Sequence, residues 1–284
     1  MKIAIIILNY NSSCDCHKCI GYLKQQQDVE LEIVVVDNCS CNEDRKAVEM
    51  LCKEQGCTFI ANNENKGYNA GNNIGLRYAA EKGYEFALIA NPDMEFPQDQ
   101  YLATLLAKMI EEENIVVCSS DIIGGDGIHQ SPMNKDGNWR SSFGWIKEIF
   151  GKKIKSDAYD FIDNCSESHY CHKVSGCCFM IKISFLKDIN FFDEKVFLYC
   201  EEAILSRQVE IAGKRMYYLA TAQAVHRHVK NEKGDPIKRF KTWGKSRCYF
   251  IDSYSKDHWL GKQIAKLSMK MYVATFTLYN RLKR

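Results

Sequence analysis

Leu31-Glu32-Ile33-Val34-Val35-Val36-Asp37-Asn38 is the stretch on which the fold turns. Its apolar residues are consecutive, not alternate, which is how a strand covered on both faces reads. It stops at a carboxylate and a carboxamide. Outward from it, Ile3–Asn9, Thr58–Ala61 and Phe86–Ala90 read as further strands, and helical patterns fall at about 15–27, 43–55, 70–82 and 99–112. Strand–helix alternation predicts an α/β fold with a mostly parallel sheet and right-handed crossovers. Ligands of such sheets sit beyond the C-terminal strand ends. Those ends read Asn9-Tyr10-Asn11, Asp37-Asn38, Asn62-Asn63 and Asn91-Pro92-Asp93. One such end alone is a turn signal. Together they predict a site.

The composition fits a folded, water-exposed protein. The 284 residues are 46% hydrophobic and 26% charged, enough for a substantial core. Four prolines and 17 glycines exclude collagen-like and low-complexity chains. No apolar run approaches the ~18 residues of a membrane span. The start, Met1-Lys2-Ile3-Ala4-Ile5-Ile6-Ile7-Leu8, lacks a small-residue cleavage site and reads as a first strand, not a signal peptide. With 14 cysteines and no export signal, reduced thiols in a cytoplasmic protein are expected. The Cys14-Asp15-Cys16-His17-Lys18-Cys19 cluster, with Cys39 and Cys41, lacks the paired spacing of a zinc ribbon and falls where a helix begins.

Three units are expected: 1–95 and 96–229 as halves of one domain, and 230–284 as a basic helical tail. Within the second, 120–172 reads as loop-rich, strands return at Cys177–Ile183 and Met216–Leu219, and a helix runs from Glu201 to about Ala212. A charged linker is expected after His228. The tail holds 14 Lys/Arg against 4 Asp/Glu, a net +10, leaving −8 for the first 229 residues. Its final helix aligns Leu260, Ile264, Leu267, Met271, Ala274 and Leu278 in one stripe, with Lys262, Lys266 and Lys270 off it.

Chemistry is sought at five places. The first turn, Asn9-Tyr10-Asn11-Ser12, has no glycine, which excludes a P-loop and a dinucleotide fingerprint. Asn65-Lys66-Gly67-Tyr68-Asn69-Ala70-Gly71-Asn72-Asn73-Ile74-Gly75 spaces its glycines so that backbone can approach either a neighbour or a diphosphate. Asn91-Pro92-Asp93 ends a strand in a carboxylate suited to a hard cation, or forms an Asx turn. Phe191-Phe192-Asp193-Glu194 leads through an aromatic run to Glu201-Glu202, acids that either suit a helix dipole or include a desolvated general base. His226-Arg227-His228 offers imidazole ligands and a phosphate-facing cation.

These motifs, with Val36-Asp37-Asn38-Cys39-Ser40 and Val174-Ser175-Gly176-Cys177-Cys178, occur in an order and spacing that resemble the family 2 glycosyltransferases. The nearest subgroup resembles bacterial rhamnosyltransferases of cell-surface polysaccharide synthesis. The likeness covers residue 3 to about 228. It implies a GT-A fold: a Rossmann-like mixed, mostly parallel sheet flanked by helices. It implies an inverting hexosyl transfer from a nucleoside-diphosphate sugar (dTDP-rhamnose or a UDP-sugar) to a hydroxyl of a saccharide or lipid-linked acceptor. By the same likeness Asn9, Tyr10 and Asn11 line the base pocket and Asp37 contacts pyrimidine or ribose. Asn65, Gly67, Gly71 and Asn91 sit beside the nucleotide, and Asp93 and His226 hold Mg²⁺ or Mn²⁺. Glu202, or less favoured Glu201, is the catalytic base. The chain departs from the pattern at Asn91, in place of an acid, at Glu202, in place of Asp, and at Ile204, in place of a second acid.

Three rivals stand beside this reading: a sugar nucleotidyltransferase, a silent nucleotide-sugar binder, and a zinc or redox protein. Nucleic acid is not an expected partner. The stripe within 258–284 leaves three partners open: anionic headgroups at the inner face of the cytoplasmic membrane, the chain's own domain, or a second subunit.

Overall fold

The computed structural model describes residues 2–149, 165–228 and 234–282. Parts of the expected loop-rich stretch (150–164) and linker (229–233), and the terminal residues 283–284, lie outside it. The strands are β1 (Lys2–Asn9), β2 (Glu30–Asn38), β3 (Thr58–Asn62), β4 (Phe86–Ala90), β5 (Met94–Glu95), β6 (Ile115–Gly124), β7 (His169–Cys171), β8 (Cys178–Lys182) and β9 (Arg215–His226). The helices are α1 (Ser13–Leu23), α2 (Asn42–Gln55), α3 (Tyr68–Glu81), α4 (Tyr101–Glu111), α5 (Gly144–Ile149), α6 (Ile183–Asp188), α7 (Glu201–Ile211), α8 (Pro236–Ser253) and α9 (Trp259–Leu282).

One mixed sheet runs in the order β3-β2-β1-β4-β8-β6-β9-β5, with β7 on β9. The first four are parallel neighbours. β8 runs antiparallel to both β4 and β6, and β9 is parallel to β6. The reversal at β8 therefore leaves β1–β4, β6 and β9 pointing one way. Asn9, Asn38, Asn62, Asn91 and His226 consequently gather at one edge.

The consecutive apolar run of β2 serves two cores. Ile33 and Val35 pack with Cys16, Ile20, Val48 and Leu102 on one face. Val34 and Val36 pack with Leu76, Leu186 and Leu205 on the other. Each such side chain contributes roughly 1.5–3 kcal/mol by leaving water. Cys16 and Cys19 belong to the first core, and burial pushes both thiols far up in pKa, so they stay protonated there.

Two of the elements that the sequence reading does not give, β6 and α8, bear on the site; β5, β7, α5 and α6 are also absent from it. β6 is interrupted by Ser119, Ser120 and Asp121, yet these polar residues are buried. Ser119 Oγ donates to the Cys178 carbonyl at 2.9 Å, Ser120 Oγ shares a hydrogen with Tyr101 Oη at 2.9 Å, and Asp121 meets His129 Nδ1 at 2.6 Å. Satisfied in this way, they break the apolar run without breaking the strand. α8 begins in the expected linker, where Asp235 accepts from the Ile237 amide at 3.1 Å and Pro236 takes the first helical position. Phe250 and Ile251 of α8, with Ala265 of α9, form a third cluster with Val196, Ala203 and Ile204 around the start of α7.

The final helix forms as expected, and the face it packs against the protein is not the apolar stripe. Gly261, Ala265, Ser268 and Met269 face the protein. The apolar stripe turns outward: Leu260, Leu267, Met271 and Leu278 are all more than half exposed. The small residues win because close approach needs them. Gly244 of α8 has room for nothing larger against Val273.

Candidate active site

The strand-end residues form two layers. Asn9 and Asp37 are fully buried. Asn9 Nδ2 donates to Asp37 (3.0 Å), Ser40 (3.2 Å) and Asp44 (2.8 Å). Arg45 Nε pairs with Asp37 at 2.8 Å. Both side chains are thus engaged internally and support the rim from below. Tyr10 is 53% exposed on that rim, and Asn11 accepts from the Cys41 amide at 2.9 Å.

The glycine motif is mainly a packing device. Asn65 Oδ1 accepts from the Gly67 amide (3.0 Å) and Asn38 (3.1 Å). Gly67 has φ +107°, and a Cβ there would stand 2.1 Å from the Phe197 carbonyl oxygen. A Cβ on Gly71 would strike Leu8, and one on Gly75 would strike Ile6. The helix therefore lies directly on β1. Its asparagines hold the aromatic loop: Asn73 exchanges hydrogen bonds with the Phe192 backbone (2.9 and 3.0 Å), and Asn69 donates to the Asp193 carbonyl at 2.8 Å.

Asp93 and His226 meet because β5, starting one residue after Asp93, pairs with the end of β9. Asp93 Oδ1 is 3.2 Å from His226 Nε2, and Asp93 Oδ2 is 3.5 Å from His228 Nδ1. One ligand atom from each of the three residues lies within 4.8 Å of the others. Gln130 Oε1 accepts from His226 Nδ1 at 2.7 Å, so Nε2 is the nitrogen turned to Asp93. Nε2 is buried without an aligned hydrogen bond. Burial alone would raise the Asp93 carboxyl and lower the His226 imidazole. Contact with His226 and His228 instead holds Asp93 well below the usual carboxylate range. Cys177 and Asp93 push His226 up to about 10. A cation binding there would displace the proton from the imidazole. A carboxylate and two imidazoles can hold a divalent cation, Mn²⁺ more readily than the oxygen-preferring Mg²⁺, and His228 stands beside the two ligands read from sequence. Arg227, by contrast, pairs with Glu95 at 3.0 Å.

A short bonded path joins this cluster to the paired acids. Tyr68 Oη donates to the Gly176 carbonyl (2.7 Å) and reaches Asn91 Oδ1 (3.2 Å). The Asn91 amide donates to the Cys177 carbonyl at 2.8 Å. The Gly176 amide donates to Glu202 Oε1 at 3.3 Å. Tyr68 stands inside the quoted glycine motif, but only the fold shows that its hydroxyl spans both halves.

Glu201 and Glu202 open α7, where the helix dipole favours negative charge. Tyr199 and Cys200 before them both have left-handed φ, +74° and +69°. Such non-glycine backbone costs about 1–3 kcal/mol each and needs surrounding structure to hold it. Here α8 and Tyr254, the residue that caps its end, supply that structure. Tyr249 and Tyr254 donate to Asp193 Oδ2 at 2.5 and 2.6 Å, and Ser246 donates to the Leu198 carbonyl at 2.7 Å. Arg247, from the same helix, joins Asp136 at 2.7 Å, and Asp136 also pairs with Lys173 at 3.2 Å. Burial, then the charge of Glu202, pushes the Glu201 carboxyl up to about 8. Its Oε1 is buried without a partner.

Residues 4–189 match the family described as Glycosyl transferase family 2. A low-salt glycan biosynthesis hexosyltransferase of Haloferax volcanii is 30% identical over 203 residues, covering 70% of this chain and 59% of the relative. The rhamnosyltransferase WbbL of Escherichia coli is 24% identical over 212 residues, covering 70% of this chain and 74% of its own. Among solved structures, the mannosyltransferase PcManGT from Pyrobaculum calidifontis, in complex with GDP-Man and Mn²⁺, superposes with a TM-score of 0.61 at 15% identity, covering 97% of this chain and 75% of that one. S. aureus TarS in complex with UDP gives 0.58 at 18%, covering 93% and 70%. At these identities the likeness speaks for the fold alone, and that fold is GT-A, as the sequence resemblance implied.

Proposed function

The chain belongs to glycosyl transferase family 2, and from that premise we propose that it moves a hexosyl group from a nucleoside-diphosphate sugar to an acceptor hydroxyl, with inversion. The observation that carries the proposal is the path from Asp93 through Asn91, Tyr68 and Gly176 to Glu202, which ties a cation cluster to a carboxylate pair. The donor is dTDP-rhamnose or a UDP-sugar, and the acceptor is a saccharide or a lipid-linked saccharide at the inner face of the cytoplasmic membrane.

Tyr10 and Asn11, backed by the buried Asn9–Asp37 network, offer the surface for the base. Asn65, Gly67 and Gly71 fix the adjoining wall. Asp93, His226 and His228 would hold Mg²⁺ or Mn²⁺, which when bound neutralises charge on the diphosphate. Glu202 takes the proton from the acceptor hydroxyl as general base. Glu201, held protonated at neutral pH by its raised pKa, is not free to act as that base.

The test is a thermal-shift panel of UDP-, GDP-, dTDP- and CMP-sugars with and without Mn²⁺, followed by product analysis. A ligand that binds only the native state raises the melting temperature. The proposal expects one nucleotide class to give a Mn²⁺-dependent shift that Asp93→Ala removes. It also expects turnover that Glu202→Gln removes while binding persists. A shift without turnover would make the protein a silent binder, and release of pyrophosphate from a sugar phosphate and a nucleoside triphosphate would make it a nucleotidyltransferase.

A further inference from the structure

Two rows of side chains run side by side on the outer surface of the α8–α9 pair. On α9, Leu260, Leu267, Met271 and Leu278 stand at heptad spacing and are 54%, 60%, 51% and 60% exposed. Trp259 and Leu282 extend the exposed apolar surface at either end of the helix. On α8, Cys248 and Asp252 line a groove with Gln263, Lys266, Leu267 and Lys270 of α9. Lys241 and Lys245 occupy the same α8 row, seven and three positions before Cys248, and both are exposed. A basic row thus borders an apolar row.

We infer that this face rests on an anionic lipid surface, with the α9 leucines and Met271 entering the headgroup region and Lys241, Lys245 and Lys270 meeting lipid phosphates. Charge selects this occupant over a second copy of the chain. α9 carries Lys262, Lys266, Lys270 and Arg281 and no Asp or Glu. Two such faces would set lysines against lysines, and Asp252, the acid beside them, is already engaged by Lys266 at 2.6 Å. An anionic bilayer accepts both rows at once, the apolar one by burial and the basic one by surface potential. No described helix is long and apolar enough to cross a membrane, so the contact lies in the interface plane. The inference stands apart from sugar transfer, because vesicle binding requires neither donor nor acceptor.

The test is co-sedimentation of the full chain with vesicles of phosphatidylcholine alone or with about one-third phosphatidylglycerol. Binding to the anionic vesicles, weakened by salt, is expected. Leu267→Gln/Met271→Gln/Leu278→Gln and Lys241→Glu/Lys245→Glu/Lys270→Glu are each expected to weaken it about tenfold or more. All these positions are exposed, and an unchanged melting temperature checks that the variants fold. The inference is overturned if wild type binds neither vesicle, if it binds both equally, or if the apolar triple variant binds as wild type does. It is also overturned if sedimentation equilibrium shows a dimer that this variant converts to monomer.

Discussion

Glu202 Oε1 lies 3.3 Å from the amide nitrogen of Gly176, and a Cβ at position 176 would stand 2.9 Å from that oxygen. The atom in the way is the far end of a flexible side chain, so the fold tolerates the methyl while the carboxylate moves. Gly176→Ala is therefore expected to lower kcat/KM at least tenfold, about 1.4 kcal/mol of transition-state stabilisation. The melting temperature should stay within about 2 °C of wild type. Activity unchanged beside a normal melt would remove Glu202 from the reaction.

Gly67→Ala should behave in the opposite way. Its Cβ would meet backbone, the Phe197 carbonyl, at 2.1 Å, from a φ of +107°. Neither the helix nor the aromatic loop can yield cheaply. A loss of about 3 kcal/mol or more is expected, read from the urea midpoint. A loss below ~1 kcal/mol would mean that the loop is not held against α3 as described.

The raised pKa of Glu201, caused by burial and then by Glu202, fixes a pH dependence. From the ordinary carboxylate range up to about 8, the folded chain holds a proton that the unfolded chain has lost. Stability must therefore fall as pH rises through that window. Glu201→Gln removes the liability. Its melting temperature is expected to match wild type near pH 5 and exceed it by several degrees at pH 8.5. An equal difference at both pH values would refute the assignment.

Asp136 has the reverse sign. Burial would raise its carboxyl, but Lys173 and Arg247 outweigh that and depress it. Its contribution is present above the unfolded carboxylate pKa of about 3.9 and is lost as pH falls below it. Asp136→Asn leaves two mostly buried cations without their counter-charge, at a cost of about 3 kcal/mol near pH 7. The variant's stability should fall less steeply than wild type's below pH 4. Parallel acid profiles would show that Asp136 is not the group responsible.

The first half of this architecture is legible residue by residue. Phe86–Ala90 is a strand with the expected bounds, and the apolar run at Ile33–Val36 is covered on both faces as its pattern requires. Local chemistry suffices there because each strand is contiguous and parallel to its neighbours. The second half is assembled across long separations. Tyr68 finds Gly176 at a separation of 108 residues, and Gln130 finds His226 at 96. Neither pairing leaves a trace in spacing. The stripe on α9 is legible as a stripe, but not the direction it faces, because the small residues that pack inward carry little hydrophobic signal.

The bracing of the Glu201 loop by α8 has a consequence in time. Tyr249 follows Asp193 by 56 residues, and Ser246 follows Leu198 by 48. At roughly 5–20 residues per second, a ribosome takes several seconds to cover that interval. During it, β1–β4 are complete while the loop bearing the acids is held by α3 alone, without the bonds that α8 gives it. His226 and His228 are made within that interval, so the cation cluster is complete before the acid loop is braced. The onset of turnover would then report that the C-terminal helices have docked.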